Sequence, residues 1–289
     1  MAIPRLPTYS LPRPEDFPKN KVGWTFAPEC AVLLIHDMQD YFLHFFGEES
    51  PLVTQLVANV AALRAFCKSR SVPIVYTAQP IDQSPKDRGL LNDMWGPGLN
   101  AHPQLKDIAA ALAPESDDTV LVKWRYSAFQ RSPLEAMMRE WGRDQLVICG
   151  VYGHIGCLTT ALDSFMRDFE TFVVGDAIAD FSPEDHDMTL RYVAGRCGVV
   201  VAADALIGAP APRLTRAQVE ARVRTLISLD GEIFDPDENL MNYGLDSIRV
   251  MTLVTEWRKL GVEIGFVDLA DNPTLDGWWA LIERKLTAA

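Results

Sequence analysis

The sequence predicts an α/β domain built on a parallel, doubly wound sheet, followed by a small helical bundle. Three observations carry this. Short, continuous apolar runs alternate with segments of helical period as far as Ala202. The runs are apolar at successive positions, as strands covered by helices on both faces must be. Beyond the Ala-Pro-Ala-Pro stretch at 209–212 only helical periodicity remains.

In order, Ala31 to Ile35 forms the first apolar run, and it breaks off into His-Asp-Met-Gln-Asp-Tyr-Phe at 36–42. Asp37 therefore stands at a strand's carboxyl end, the edge where open α/β sheets bind ligands; an Asp there is equally a helix N-cap. Pro51 to Ser69 carries Leu52, Leu56, Val60, Leu63 and Phe66 at spacings of three and four, one buried face of a helix. Val72 to Thr77 reads as a second strand. The segment 78–100 is long and rich in Pro, Gly, Asp and Trp, a composition that suits a binding loop, and it contains Gln79, Arg88 and Trp95. A short helix is expected near Leu105 to Leu112, then a strand from Thr119 to Val122 that runs into Lys123. A helix over Pro133 to Trp141 precedes the strand Gln145 to Val151, which leads into Tyr-Gly-His-Ile-Gly-Cys at 152–157. Gly153 and Gly156 permit close backbone approach before a helix from Cys157 to Phe169, whose free N–H groups would favour an anion. Thr171 to Val174 and Val199 to Ala202 supply two further strands around a helix from Asp187 to Arg196.

The alternation stops at 209–212, which reads as a semi-rigid linker between domains at 1–208 and 213–289. Past it, Val219, Val223, Leu226 and Ile227, then Ile248, Met251, Val254 and Trp257, then Leu275, Trp278, Trp279 and Ile282 fall at helical spacing. The formal net charge of -12 argues against nucleic acid or an anionic membrane as partner. The five cysteines show no C-x-x-C spacing, and no apolar run approaches the ~20 residues of a membrane span; a reduced, cytoplasmic setting is expected.

A serine opening a helix, as Ser247 does within Asn-Leu-Met-Asn-Tyr-Gly-Leu-Asp-Ser (239–247), is on spacing alone an N-cap. The string as a whole, with Asn-Pro-Thr-Leu at 272–275, resembles the acyl and aryl carrier proteins. That resemblance implies an all-α four-helix carrier fold and covalent 4'-phosphopantetheine on Ser247. The first domain resembles the isochorismatase-like branch of the cysteine hydrolase superfamily through the motif at 36–42, Tyr-Thr-Ala-Gln-Pro (76–80), Met-Trp-Gly-Pro-Gly (94–98), Lys-Trp-Arg-Tyr-Ser-Ala-Phe (123–129) and Gly-Val-Tyr-Gly-His-Ile-Gly-Cys (150–157). Together the two resemble the bifunctional isochorismatase and aryl carrier proteins of catecholate, enterobactin-type siderophore assembly.

The resemblance implies hydrolysis of isochorismate to pyruvate and 2,3-dihydro-2,3-dihydroxybenzoate, and carriage of an activated 2,3-dihydroxybenzoyl group. The superfamily's Asp, Lys and Cys site maps onto Asp37, Lys123 and Gly156, so glycine stands where amidohydrolase members have their nucleophile. A vinyl ether needs none, because it hydrolyses after protonation of its terminal carbon, and Asp37 is the expected acid. Gln79, Arg88 and Tyr152 are expected to bind substrate by hydrogen bonds and charge, N–H groups around Gly156 to receive an oxygen, and Phe42 and Trp95 to wall the ring. Without the resemblance Arg88 reads as a solvated loop charge, and Phe42 and Trp95 as core. His36 and His154 read first as structural residues. Expected partners are a phosphopantetheinyl transferase, an aryl-activating ligase, a condensation-domain synthetase and a second copy of the chain. The resemblance also implies that no metal is needed, since metal-binding relatives carry a His-rich segment after the second strand and 78–89 holds no histidine. The rivals are a cysteine amidohydrolase using Cys157 and a non-catalytic carrier whose first domain is scaffold.

Overall fold

The computed structural model describes residues 3–208, 214–229, 233–259, 262 and 264–288. Strand β1 (Ala31–His36), buried at all six positions, is central to the sheet because each of its residues is apolar or, as His36 is, internally hydrogen-bonded. It pairs in parallel with β2 (Ile74–Ala78), which is flanked by β3 (Thr119–Val122). Its other side pairs with β4 (Gln145–Val151), followed by β5 (Glu170–Ala179) and β6 (Val199–Val201). All pairings are parallel and the order is β3-β2-β1-β4-β5-β6. The connections run outward in opposite directions from β1 and β4, so the crevice between their carboxyl ends is the topological switch point.

Helices cover both faces. Helix α1 (Pro51–Ser69) starts with Pro51 behind Ser50, whose hydroxyl accepts the Val53 N–H, and buries Leu52, Leu56, Val60, Leu63 and Cys67. It packs with Leu33 and Ile35 of β1, on the side where α5 (Ala203–Ile207) also lies. The alternate residues Val32 and Leu34 meet the opposite core, fed by α2 (Leu134–Glu140), α3 (Leu158–Phe165) and α4 (Pro183–Arg196). Ahead of β1 the chain is tied across the sheet by Leu6, whose N–H donates to the Phe45 carbonyl, and by Asn20, which exchanges two hydrogen bonds with Val200.

Three local expectations differ from the structure. Residues 105–112 form no α-helix but two short 3-10 turns, Pro103–Leu105 and Ala110–Leu112, separated by Ile108, which makes an isolated antiparallel bridge to Gln39. Strand β5 continues past Gly175 and Asp176 because a register shift between Ile148 and Gly150 lets Ile178 and Ala179 resume pairing. The loop 78–100 contains two short helices, Pro85–Arg88 and Leu91–Trp95.

The chain divides into compact units Met1–Ala209 and Pro210–Ala289. The linker expected at 209–212 lies outside the described residues. In the second unit α6 (Arg216–Arg224) begins in a capping box of Thr215 and Gln218. It is followed by α7 (Ser247–Lys259), the five-residue α8 (Phe266–Ala270) and α9 (Leu275–Ala288). Their core includes Val219, Val223, Leu253, Leu269 and Ile282 around Trp257 and Trp278. Those two rings meet edge to face at 5.8 Å, and the Trp278 indole N–H donates to the Leu269 carbonyl at 2.8 Å. No helix among the described residues is long and apolar enough to cross a membrane.

Candidate active site

A pocket at the switch point is lined by Asp37, Phe42, Gln79, Arg88, Trp95, Lys123, Tyr152 and Gly156, together with Tyr41, Arg125, Tyr126 and Phe181. All eight residues expected at the first domain's site thus meet in one cavity, which encloses about 550 Å³ including open solvent at its mouth.

Asp37, the first residue after β1, has φ +50°, a left-handed conformation that a non-glycine residue adopts where its surroundings hold it. Thr77, next to last in β2 and beside His36 in the register, does the holding. Its Oγ accepts the Asp37 N–H at 3.1 Å and donates to Asp37 Oδ1 at 2.6 Å. Lys123, just beyond β3, donates to Oδ2 at 3.0 Å. Asp37 is 5% exposed and Lys123 4%, so this is a buried ion pair with both carboxylate oxygens occupied. Thr77 went unrecognised in the sequence, although a hydroxyl ending an otherwise apolar strand was its signal.

Arg88 is 3% exposed, not the solvated loop charge that its surroundings in the sequence suggest. The helical turn Pro85–Arg88, capped by Ser84, carries it inward. Its Nε donates to the Gly96 carbonyl at 2.7 Å and Nη1 to Gln83 Oε1 at 3.4 Å. Gly98 leaves the room: a Cβ there would stand 2.3 Å from Arg88 Nη2. Among the described residues no carboxylate pairs with this guanidinium, and burial pulls its pKa below the ordinary value. Gln79 is placed through its backbone, which Gln39 clamps by accepting the Gln79 N–H at 2.7 Å and donating to its carbonyl at 3.0 Å.

Two expected roles need correction. The Tyr152 hydroxyl donates to the Phe42 carbonyl at 2.6 Å, so it is spent inside the protein and the residue offers the pocket its ring. The N–H groups of Ile155, Gly156 and Cys157 all converge on the Tyr152 carbonyl, at 3.1–3.3 Å, in a π-type turn that precedes α3. They are not free to receive a ligand oxygen. Phe42 meets Tyr152 edge to face at 5.9 Å, and the Trp95 indole N–H donates to the Tyr126 hydroxyl at 2.9 Å, so both aromatics line the pocket while packing on other rings.

His36 explains the glycine at 156. Its ring is fully buried beneath the turn, with Nδ1 2.8 Å from the Val151 carbonyl; a carbonyl only accepts, so Nδ1 carries the proton. A Cβ on residue 156 would lie 2.1 Å from His36 Cε1. The imidazole therefore fills the space that a side chain at 156, a nucleophilic cysteine included, would need. Gly156→Ala is expected to cost about 1–3 kcal/mol or more, as overpacking of a closed core does, read as a fall in Tm with loss of activity. An unchanged Tm would show that the ring can yield. Cys157 is fully buried in the core cluster that includes Leu34 and Ala161 and is not part of the pocket lining, and burial raises its thiol well above the usual pKa.

Burial first, and then the neighbouring Lys123 ammonium, push His36 down to about 4. In the unfolded chain the group titrates near 6.5, so between 6.5 and 4 the unfolded state binds more protons. Its contribution is intact above pH ~6.5 and is lost as pH falls toward 4, by up to about 3 kcal/mol. Denaturant titrations of wild type and His36→Asn across this range should show a flatter pH dependence in the variant; equal slopes would remove His36 as the source. His154 lies outside the pocket wall, bonded to the buried Asp180 through both its N–H and Nδ1. Burial opposes its charge, but the Asp180 hydrogen bond and charge win and raise its pKa. Among the described residues no group of three or more His, Cys, Asp or Glu is placed to hold a metal ion.

In the second unit, Gly244 at φ +82° turns the chain into α7, and Asp246, not Ser247, caps that helix by accepting the Arg249 N–H at 2.8 Å. Ser247 is thereby left as the first helical residue, exposed, its hydroxyl without a partner among the described residues. A hydroxyl relieved of capping and open to solvent fits attachment of a phosphopantetheine arm, and its place at a helix N-terminus favours the phosphodiester.

Residues 31–205 match the isochorismatase domain family, and residues 217–282 the family described as phosphopantetheine attachment site. The chain is 55% identical over 286 residues to enterobactin synthase component B of Escherichia coli (strain K12), covering 99% of this chain and 100% of that one. It is 48% identical over 301 residues to a Bacillus subtilis (strain 168) protein named isochorismatase, covering 99% and 96%. Its fold is shared with a crystallised cysteine hydrolase from Pseudomonas syringae pv. phaseolicola 1448A at TM-score 0.59 and 22% identity, over 66% of this chain and 96% of that one. With the glycine at 156 and the exposed serine at 247 in the places described, the chain belongs to the isochorismatase family and carries a phosphopantetheine-binding carrier domain at its C-terminal end.

Proposed function

We propose that the first unit hydrolyses isochorismate to pyruvate and 2,3-dihydro-2,3-dihydroxybenzoate, and that the second carries the activated 2,3-dihydroxybenzoyl group in nonribosomal siderophore synthesis. The observation that carries the hydrolase reading is Arg88, a buried guanidinium with no carboxylate partner among the described residues, on the wall of a pocket that also holds Asp37 and Lys123. Such a charge calls for an anionic ligand, and isochorismate is a dicarboxylate.

Asp37 is the general acid. Its carboxyl proton goes to the terminal methylene carbon of the enolpyruvyl group, giving an oxocarbenium ion that water captures. The proton lost by that water returns to Asp37, and the hemiketal C–O bond then breaks as the hemiketal's own hydroxyl proton passes to the departing ring oxygen. The negative charge of the bound substrate offsets the Lys123 ammonium beside Asp37, which lets Asp37 hold its proton in the complex. As the proton leaves, Lys123 and Thr77 are already placed to receive the carboxylate that re-forms, so their bonds strengthen toward the transition state. Gln79 hydrogen-bonds substrate through its side-chain amide, and the rings of Phe42, Trp95 and Tyr152 exclude water.

On the second unit, Ser247 is the attachment point, and the arm, once bound, supplies a terminal thiol that holds the acyl group. Its partners are a phosphopantetheinyl transferase, an aryl-activating ligase and a condensation-domain synthetase. The boundary falls between a hydrolase domain at 1–208 and a carrier domain at 213–289. Incubation with isochorismate and an assay for pyruvate, before and after thiol alkylation, tests the hydrolase reading. Release unaffected by alkylation supports it; no release leaves a scaffold, and release abolished by alkylation of folded protein points to thiol chemistry.

A further inference from the structure

The pocket wall carries three cationic side chains, Arg88, Lys123 and Arg125, against one carboxylate, Asp37. Two positive charges are therefore left over. Lys123 is paired with Asp37 in the structure, and Arg88 accounts for one ligand anion, which leaves Arg125 without an assigned task.

Arg125 lies two residues beyond Lys123, and its Nη1 donates to the carbonyls of Asp87 at 2.8 Å and Trp124 at 2.6 Å. These bonds hold the guanidinium against the turn that carries Arg88, with Nη2 close to Gly89, where an added Cβ would lie 2.9 Å away. Among the described residues the partners of Arg125 are neutral carbonyls: the nearby Asp87 carboxylate is bonded to Ser84 and Arg131 instead. Arg125 is thus a half-buried cation at the pocket wall, fixed on one arm, with no counter-ion among the described residues. With Arg88 alone the pocket would match a monoanion. With both it matches a dianion.

We infer that Arg125 takes the second carboxylate of a dianionic substrate, so that Arg88 and Arg125 together set the preference for a dicarboxylate over a monocarboxylate. This rests on the reading of the pocket as the isochorismate site.

The test uses the full-length protein with Arg125→Met, which keeps bulk and loses charge, and Arg125→Lys, which keeps charge but has no planar fork to hold the Asp87 and Trp124 carbonyls. Arg125→Met is expected to raise KM for isochorismate by about 10- to 100-fold, the range for losing a charged hydrogen bond, with kcat within about threefold. Arg125→Lys should recover most of that loss. A residue that merely held the turn would leave Lys as defective as Met, and kcat would fall with KM. Calorimetry with chorismate, a dianion bearing the same enolpyruvyl group, and with benzoate, a monoanion that Arg88 alone can satisfy, gives a readout independent of turnover. Arg125→Met should weaken chorismate at least ~5-fold more than benzoate. Equal weakening of both, no weakening, or no rescue by Lys would overturn the assignment. If wild type releases no pyruvate from isochorismate, the proposed function fails, while the chorismate and benzoate titrations still decide what Arg125 does.

Discussion

Asp37→Asn should lower pyruvate release by at least ~10²-fold, the scale that general acid catalysis supplies, in a protein that folds normally. The amide matches the carboxylate in size. Its oxygen can accept from Lys123, and its NH2 can donate to Thr77, whose hydroxyl is free to turn round and still accept the backbone N–H of residue 37. What the amide lacks is a proton that it can give to carbon. The binding term should move the other way: removing the pocket's one carboxylate leaves its cations in excess, so KM for a dianion should stay level or fall. A large fall in kcat without a rise in KM separates loss of the acid from collapse of the site, and circular dichroism and Tm check the fold. Near-normal turnover by a folded variant would remove Asp37 from this role.

The framework was legible because it depends on signals that survive in one dimension. Ala31–His36 and Gln145–Val151 are apolar at every position that a doubly covered strand requires, and Asp37 and the glycine-punctuated turn at 152–157 follow them directly. What local sequence could not show was where loop groups spend their hydrogen bonds. Nothing periodic in 78–100 announces that Arg88 is buried. Ser84, Pro85 and Asp87 do announce a capped helical turn, and that turn is what swings the guanidinium inward. The N–H groups around Gly156 look available in a list of residues, yet a π-type turn directs three of them at one carbonyl, a property of backbone geometry alone. Thr77 and Asp37 are 40 residues apart in sequence and meet because β1 and β2 pair in a register that sets His36 beside Thr77. Periodicity did not locate the helix Phe266–Ala270, because five residues are too few to display a period and Leu269 is its one buried residue.

Ser247→Ala should abolish attachment of the phosphopantetheine arm, and with it aryl loading, while isochorismate hydrolysis stays within about twofold of wild type, the small change expected of an exposed substitution. The first half follows from chemistry: the hydroxyl oxygen becomes the bridging oxygen of the phosphodiester, and alanine has none. Folding should not be the cause of any loss, because Asp246 rather than Ser247 caps α7 and the serine is exposed with no partner among the described residues. The second half follows from the division of the chain. Ser247 belongs to a unit with its own buried core around Trp257 and Trp278, and Asp37 to a unit built on the six-stranded sheet. Asp37→Asn should accordingly show the reverse pattern, full attachment with little hydrolysis. Mass spectrometry after incubation with coenzyme A and a phosphopantetheinyl transferase reads the added arm directly, and a fragment starting at Arg213 should take it up as the whole chain does. An arm found on Ser247→Ala, or a pyruvate rate that falls with it, would contradict the assignment of one task to each unit.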